Sequence, residues 1–166
     1  MDNSLIEMAL ITILALAPTV GLLLARMNLG VLNAAACLVT YGSAIIAGEH
    51  TFIGLALLLE TADQPGLHDH VRFHFLMGGV YTFVGAVLLG FIAWTLLRTG
   101  RRGGWYAILV GLVLGGGFEL LAASTIFPHG FPPRSIPLGL FLYGYIPAFT
   151  SALAISRRPI FRPETA

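Results

Sequence analysis

The chain has 166 residues, 57% of them hydrophobic and only 10% charged, with a mean hydropathy of +0.85 and a net charge of +1. A soluble domain of this length carries about 25% charged residues, so the composition argues for a polytopic membrane protein and against an ordinary soluble domain. The small net charge supplies no field for nucleic acid, and no basic–aromatic platform for single strands is present.

The first apolar run spans Leu5 to Ala25 and is closed by Arg26. Asn3 or Ser4 is placed to cap it, and Pro18 to kink it. The acidic start (Asp2, Glu7) is unlike the basic start of a cleaved signal peptide, so none is expected. The second run begins near Leu29 and continues almost unbroken to Leu59, interrupted only by Gly48-Glu49-His50. As one helix it would reach roughly 46 Å, beyond a hydrocarbon core of about 30 Å. Two readings follow. In one the span ends near Glu49 and residues 51–60 lie in the interface or re-enter; in the other a single tilted helix carries Glu60 past the headgroups. Gly48 tips the expectation toward a break. Cys37 lies in this run, has no disulfide partner in the chain, and reads as a packing residue.

Residues Thr61 to Leu67 form a turn around the breaker pair Pro65-Gly66. The third helix is expected from near His68 to about Leu97, ending at the Arg98–Gly103 segment; the fourth runs from Trp105 to about Phe127. The stretch Pro128 to Arg134 reads as a rigid loop, and the fifth helix as Ile136 to Ile155, before a tail with Arg157, Arg158 and Arg162. The expected fold is all-α: one integral membrane domain of five transmembrane helices, with spans near 5–25, 29–49, 68–97, 105–127 and 136–155. Five crossings put Arg26, Arg98, Arg101, Arg102, Arg157, Arg158 and Arg162 on one side, and Arg72 and Arg134 on the other. The positive-inside rule then sets the N-terminus outside and the C-terminus inside a cell membrane.

Between Glu49 and His74 the chain gathers four of its five histidines and four of its eight acids. Charges near lipid cost several kcal/mol, so such a cluster is a functional-site hypothesis. His70, His74, Met77 and Tyr81 fall at i, i+4, i+7 and i+11, one helical stripe. Two imidazoles one turn apart can hold a metal ion, and a thioether below them suits copper. His74 lies about 9 Å past its helix start and Glu119 about 12 Å before its helix end, which places both in the outer leaflet. Gly78-Gly79 and Gly115-Gly116-Gly117 allow close helix approach.

The candidate site is therefore on the extracytoplasmic side, with His70, His74, His50, His68 and Asp69 as metal ligands and Glu119 and Glu49 as acid/base groups. Plainer readings stand beside it. His68 is also an ordinary interfacial histidine and Asp69 a helix cap. Glu119 is also a protonated carboxyl bonded to a carbonyl or to Ser124, and His129 a loop residue. Nucleotide fingerprints, cysteine pairs and the Gly-x-Ser-x-Gly elbow are absent from the sequence. The histidine spacing does not match the multi-box pattern of membrane di-iron desaturases and hydroxylases.

Three functions follow as expectations. The first is a metal-binding membrane protein using copper, zinc or iron, with or without catalysis. The second is a haem- or quinone-associated subunit, with haem b held between His50 and His74. The third is a non-catalytic accessory or assembly subunit, whose partners beyond the lipid bilayer are other membrane subunits or further copies of itself.

Overall fold

The computed structural model describes residues 3–81, 84, 87–126 and 139–162, some of them (His70, His74, Met77, Tyr81 and Glu119 included) by backbone alone. Apart from short turns the described residues are helical, with no strand among them. Helix α1 spans Asn3–Leu29, α2 Val31–Glu60, α3 Pro65–Tyr81, α4 Leu89–Arg98 and α5 Arg102–Ile126; a π-helical turn, Phe141–Tyr145, leads into α6, Ile146–Phe161. Val84, Val87 and Leu88 between α3 and α4 also have π-helical backbone. The expected loop from Pro128 to Arg134 lies outside the described residues.

Helix α2 runs without a break through Gly48-Glu49-His50 to Glu60. This corrects the expected break and re-entrant segment at 51–60. The reason is energetic: a helix-interior glycine costs about 1 kcal/mol relative to alanine, whereas opening the ladder leaves backbone groups that cost several kcal/mol each in an apolar medium. The hydroxyl of Thr51 donates to the Ala47 carbonyl at 2.8 Å, spanning the glycine turn. Helix α3 also starts earlier than expected, at Pro65. The Gln64 N–H donates to the Thr61 carbonyl (2.9 Å), and the His68 N–H to the Gln64 carbonyl (2.8 Å), which opens the helix. Proline fits the first helical position because its missing N–H would be unused there. At the other end of the chain, α6 passes the expected stop at Ile155 and reaches Phe161, with Pro159 inside it.

Among the described residues, two glycines with positive φ turn the chain. Gly30 (φ 80°) separates α1 from α2, and Gly100 (φ 66°) ends α4. At Gly100 the glycine N–H reaches the Leu97 carbonyl and the Arg101 N–H the Leu96 carbonyl, both at 2.9 Å, the two bonds of a Schellman cap.

The helices run up and down around α2, which packs on α1, α3, α4, the π turn and α6; α5 packs on α3, α4 and α6. The register can be read from single contacts. Tyr41 donates its hydroxyl to the Ala15 carbonyl (2.5 Å), tying α2 to α1. A Cβ on Gly42 would stand 2.7 Å from the Phe149 ring, and one on Gly144 3.3 Å from Ile45, so α2 and α6 are antiparallel. Trp105 Nε1 donates to the Leu153 carbonyl (3.0 Å) and the Tyr145 hydroxyl to the Gly111 carbonyl (2.6 Å), so α5 is antiparallel to α6 and parallel to α2. The core between them holds Leu38, Val39, Ile46, Ile108, Tyr145 and Phe149. The glycines at these contacts matter because a Cβ there would stand closer to the facing helix than packing allows.

By length and apolarity two stretches qualify as membrane crossings, Ala9–Leu29 and Val31–Phe52, with α4 a shorter apolar helix. The described residues thus support two candidate crossings of the expected five.

Candidate functional site

The site begins with His50, half-buried on the face of α2 that Ser43 and Ala47 continue. Its Nε2 lies 2.8 Å from the carbonyl oxygen of Phe75 on α3. A carbonyl only accepts, so Nε2 carries the proton and donates it, and Nδ1 is left with the lone pair. The imidazole also stacks on the Phe75 ring, centroids 4.9 Å apart and planes 16° apart. Gly79, one turn further, leaves room for the ring: a Cβ there would sit 3.6 Å from Nε2. The ring is therefore held in one orientation by a hydrogen bond and a stacking partner.

Glu49 is 8% exposed. Adjacent helical residues do not share a face, and Glu49 instead continues the stripe of Gly42 and the buried Ile46, toward the bundle interior. A carboxylate in such surroundings is costly unless protonated, paired or bound to a cation.

The helix register sets which residues lie level with these two. Gly144 meets Ile45 of α2, and the next residue, Tyr145, meets Gly115 of α5. Glu49 is one turn beyond Ile45 and Glu119 one turn beyond Gly115, on helices that run in parallel, so their backbones share a level. Phe75 lies level with His50, and His74 precedes it in the chain. Glu49, His50, His74 and Glu119 thus occupy one layer of the bundle at the backbone. The side chains of His70, His74 and Glu119 lie outside the described residues, as does His129 altogether.

His68 is elsewhere. Its Nδ1 shares a hydrogen bond of 3.3 Å with the hydroxyl of Thr61, which is fully buried at the turn between α2 and α3. Thr61 is eleven residues beyond His50, roughly 16 Å along α2. Asp69, Glu60, Asp63 and Arg72 are exposed around that same end. His70 has its backbone one turn from His74, toward His68. The structure therefore separates a His50 layer from a His68 layer. Among the described residues, no group of three or more His, Cys, Asp or Glu side chains is arranged to hold a metal ion.

Sequence reasoning missed Phe75, Gly79 and Thr61. Phe75 acts through its backbone carbonyl, which carries no sequence signature. Gly79 was legible only as a small residue, and Thr61 as part of a turn.

No protein-family model, no curated protein and no solved structure matches the chain, so the reading of this site rests on its own residues.

Proposed function

We propose that this is an integral membrane protein of five crossings, N-terminus outside, whose His50 layer binds a transition metal ion (copper, zinc or iron) near the outer face. The observation that carries the reading is the His50–Phe75 hydrogen bond. Metal-binding histidines characteristically donate one ring N–H to a carbonyl, which fixes the tautomer and orients the other nitrogen toward the metal. Here Nδ1 is that nitrogen. His74 is the second ligand, with His70 one turn away, and Glu49 and Glu119 complete the shell or act as acid and base beside it. His68 and Asp69 fall outside it. The same hydrogen bond weighs against haem, because Nδ1 adjoins the Cβ attachment and a macrocycle approaches it with more conflict than it would Nε2.

Two facts support the membrane reading. Along α1 large apolar side chains are left uncovered (Leu14 is 71% exposed and Leu24 74%), a surface suited to lipid. Seven arginines also collect at the end of the bundle opposite Glu60 and Asp63.

Elemental analysis of detergent-purified protein tests the metal. Stoichiometric copper, zinc or iron is expected in the wild type and lost in His50→Ala and in His74→Ala, while His68→Ala retains it. A metal-free wild type, after reconstitution with all three ions, overturns the proposal. It would then leave the second reading, a non-catalytic accessory subunit in which the His50–Phe75 bond only ties α2 to α3; co-purification of a stoichiometric partner protein is its positive sign.

A further inference from the structure

We infer that the arginine-rich end of the bundle is a binding site for the phosphate headgroup of an anionic membrane lipid. The start of α5 and the end of α6 enclose a concavity of about 680 Å³, lined by Trp105, Tyr106, Arg157, Arg158, Phe161 and Arg162. This is within the range of sites that hold a small ligand.

Its wall is a fixed aromatic corner. Trp105 meets Tyr106 edge-on at 5.5 Å and Phe161 edge-on at 5.5 Å, and Tyr106 meets Phe161 at 6.1 Å. Trp105 is held by its hydrogen bond to the Leu153 carbonyl, and the Arg102 guanidinium lies over the Phe161 ring at 5.5 Å. Three further guanidiniums from α6 and the residue after it line the cavity. Arginine's planar fork matches phosphate oxygens two at a time, which a point charge does not.

The positive-inside rule accounts for arginines on this side but not for a cavity with an aromatic wall. Tryptophan and tyrosine characteristically sit at headgroup depth, and the cytoplasmic leaflet carries the anionic lipids that basic pockets between helices hold. The inference rests on the membrane reading proposed above and is independent of the metal site.

The test is native mass spectrometry of the full chain from detergent, together with binding to vesicles of phosphatidylcholine with and without phosphatidylglycerol. The wild type is expected to retain phosphatidylglycerol in preference to phosphatidylcholine. Arg157→Gln/Arg158→Gln/Arg162→Gln should weaken that preference by roughly a hundredfold, about fivefold for each arginine. The charge-matched control Arg26→Gln/Arg98→Gln/Arg101→Gln should retain most of it. The lysine triple variant at the three pocket positions should fall between the wild type and the glutamine variant, a readout that survives if the glutamine variant does not fold. Equal losses in the pocket and control variants would reduce the effect to diffuse surface charge and overturn the site. Equal retention of both lipids, or inorganic phosphate displacing the lipid at comparable concentration, would overturn the lipid assignment. A protein that does not fractionate with membranes refutes the membrane reading itself; one that does so without headgroup preference refutes this inference alone.

Discussion

The two ends of the bundle treat charge in opposite ways. At one end, acids and histidines adjacent in sequence are spread out in space: His50 engages Phe75, while His68 engages Thr61 a long way along α2. At the other end, arginines scattered from position 26 to position 162 are gathered onto one surface. Helix direction explains both. A run of residues that crosses a turn between antiparallel helices is drawn out along their length at about 1.5 Å per residue, whereas the ends of up-and-down helices return to the same plane whatever their separation in the chain. Clustering in sequence is therefore a poor guide to a site in such a bundle, and level is a better one.

The level assignment is most exposed at Gly115. Its position against Tyr145 sets the register of α5, and with it the depth of Glu119. Gly115→Leu is expected to have the largest effect on this layer, costing about 1–3 kcal/mol or more by overpacking. For the metal site proposed above, it should also remove the ion, because Glu119 would be displaced. Gly117→Ala, where a Cβ would meet nothing within 4 Å inside α5, should leave the metal in place and raise stability by about 0.5–1 kcal/mol, the opposite sign. Thermal unfolding in detergent alongside elemental analysis reads both effects. A Gly115→Leu protein with wild-type stability would break the register argument.

His50→Gln is a narrower probe of the same layer. The amide can still donate toward the Phe75 carbonyl but offers no imidazole nitrogen. Metal should be lost while stability falls by less than about 1 kcal/mol. Loss of both together in His50→Ala, with loss of neither in His50→Gln, would make the residue a structural tie.

Much of the architecture was legible in the sequence because it follows from apolar run length and from glycine and proline. The turn at 61–64 and the α4–α5 turn fall where Pro65-Gly66 and Gly100 place them. Two of the misreadings share a cause. Gly48 and Pro65 were read as breakers from intrinsic preference, yet an apolar surrounding keeps the helical ladder closed across the first, and the position at a helix start makes the second a helix former. In the site, the residue types and their spacing were visible. The partner of His50 was not, because it is a main-chain carbonyl brought near by packing. Trp105, Tyr106 and Phe161 were read as parts of a helix and its flank, since nothing in their separate positions announces a shared wall.

A smaller effect separates the two histidine layers. Thr61→Val keeps the side chain's shape and removes the hydroxyl that meets His68 Nδ1. Stability should drop by about 1 kcal/mol, with metal content untouched. A variant that also lost its metal would join His68 to the His50 layer and undo the separation on which the comparison rests.

The smallest expected effect tests the continuity of α2, without which the layers have no common axis. A Cβ on Gly48 would meet nothing within 4 Å, and its φ lies in the ordinary helical range. In an unbroken helix, Gly48→Ala therefore adds no clash and removes freedom from the unfolded chain. The expected result is a gain of about 0.5–1 kcal/mol, read as a higher unfolding midpoint in detergent. If α2 broke at this point the sign would reverse, because a hinge that needs glycine's conformational freedom is strained by alanine. The sign of this one change thus decides between a single helix carrying Glu49 and His50 along a common axis and two segments whose levels could not be counted from one another.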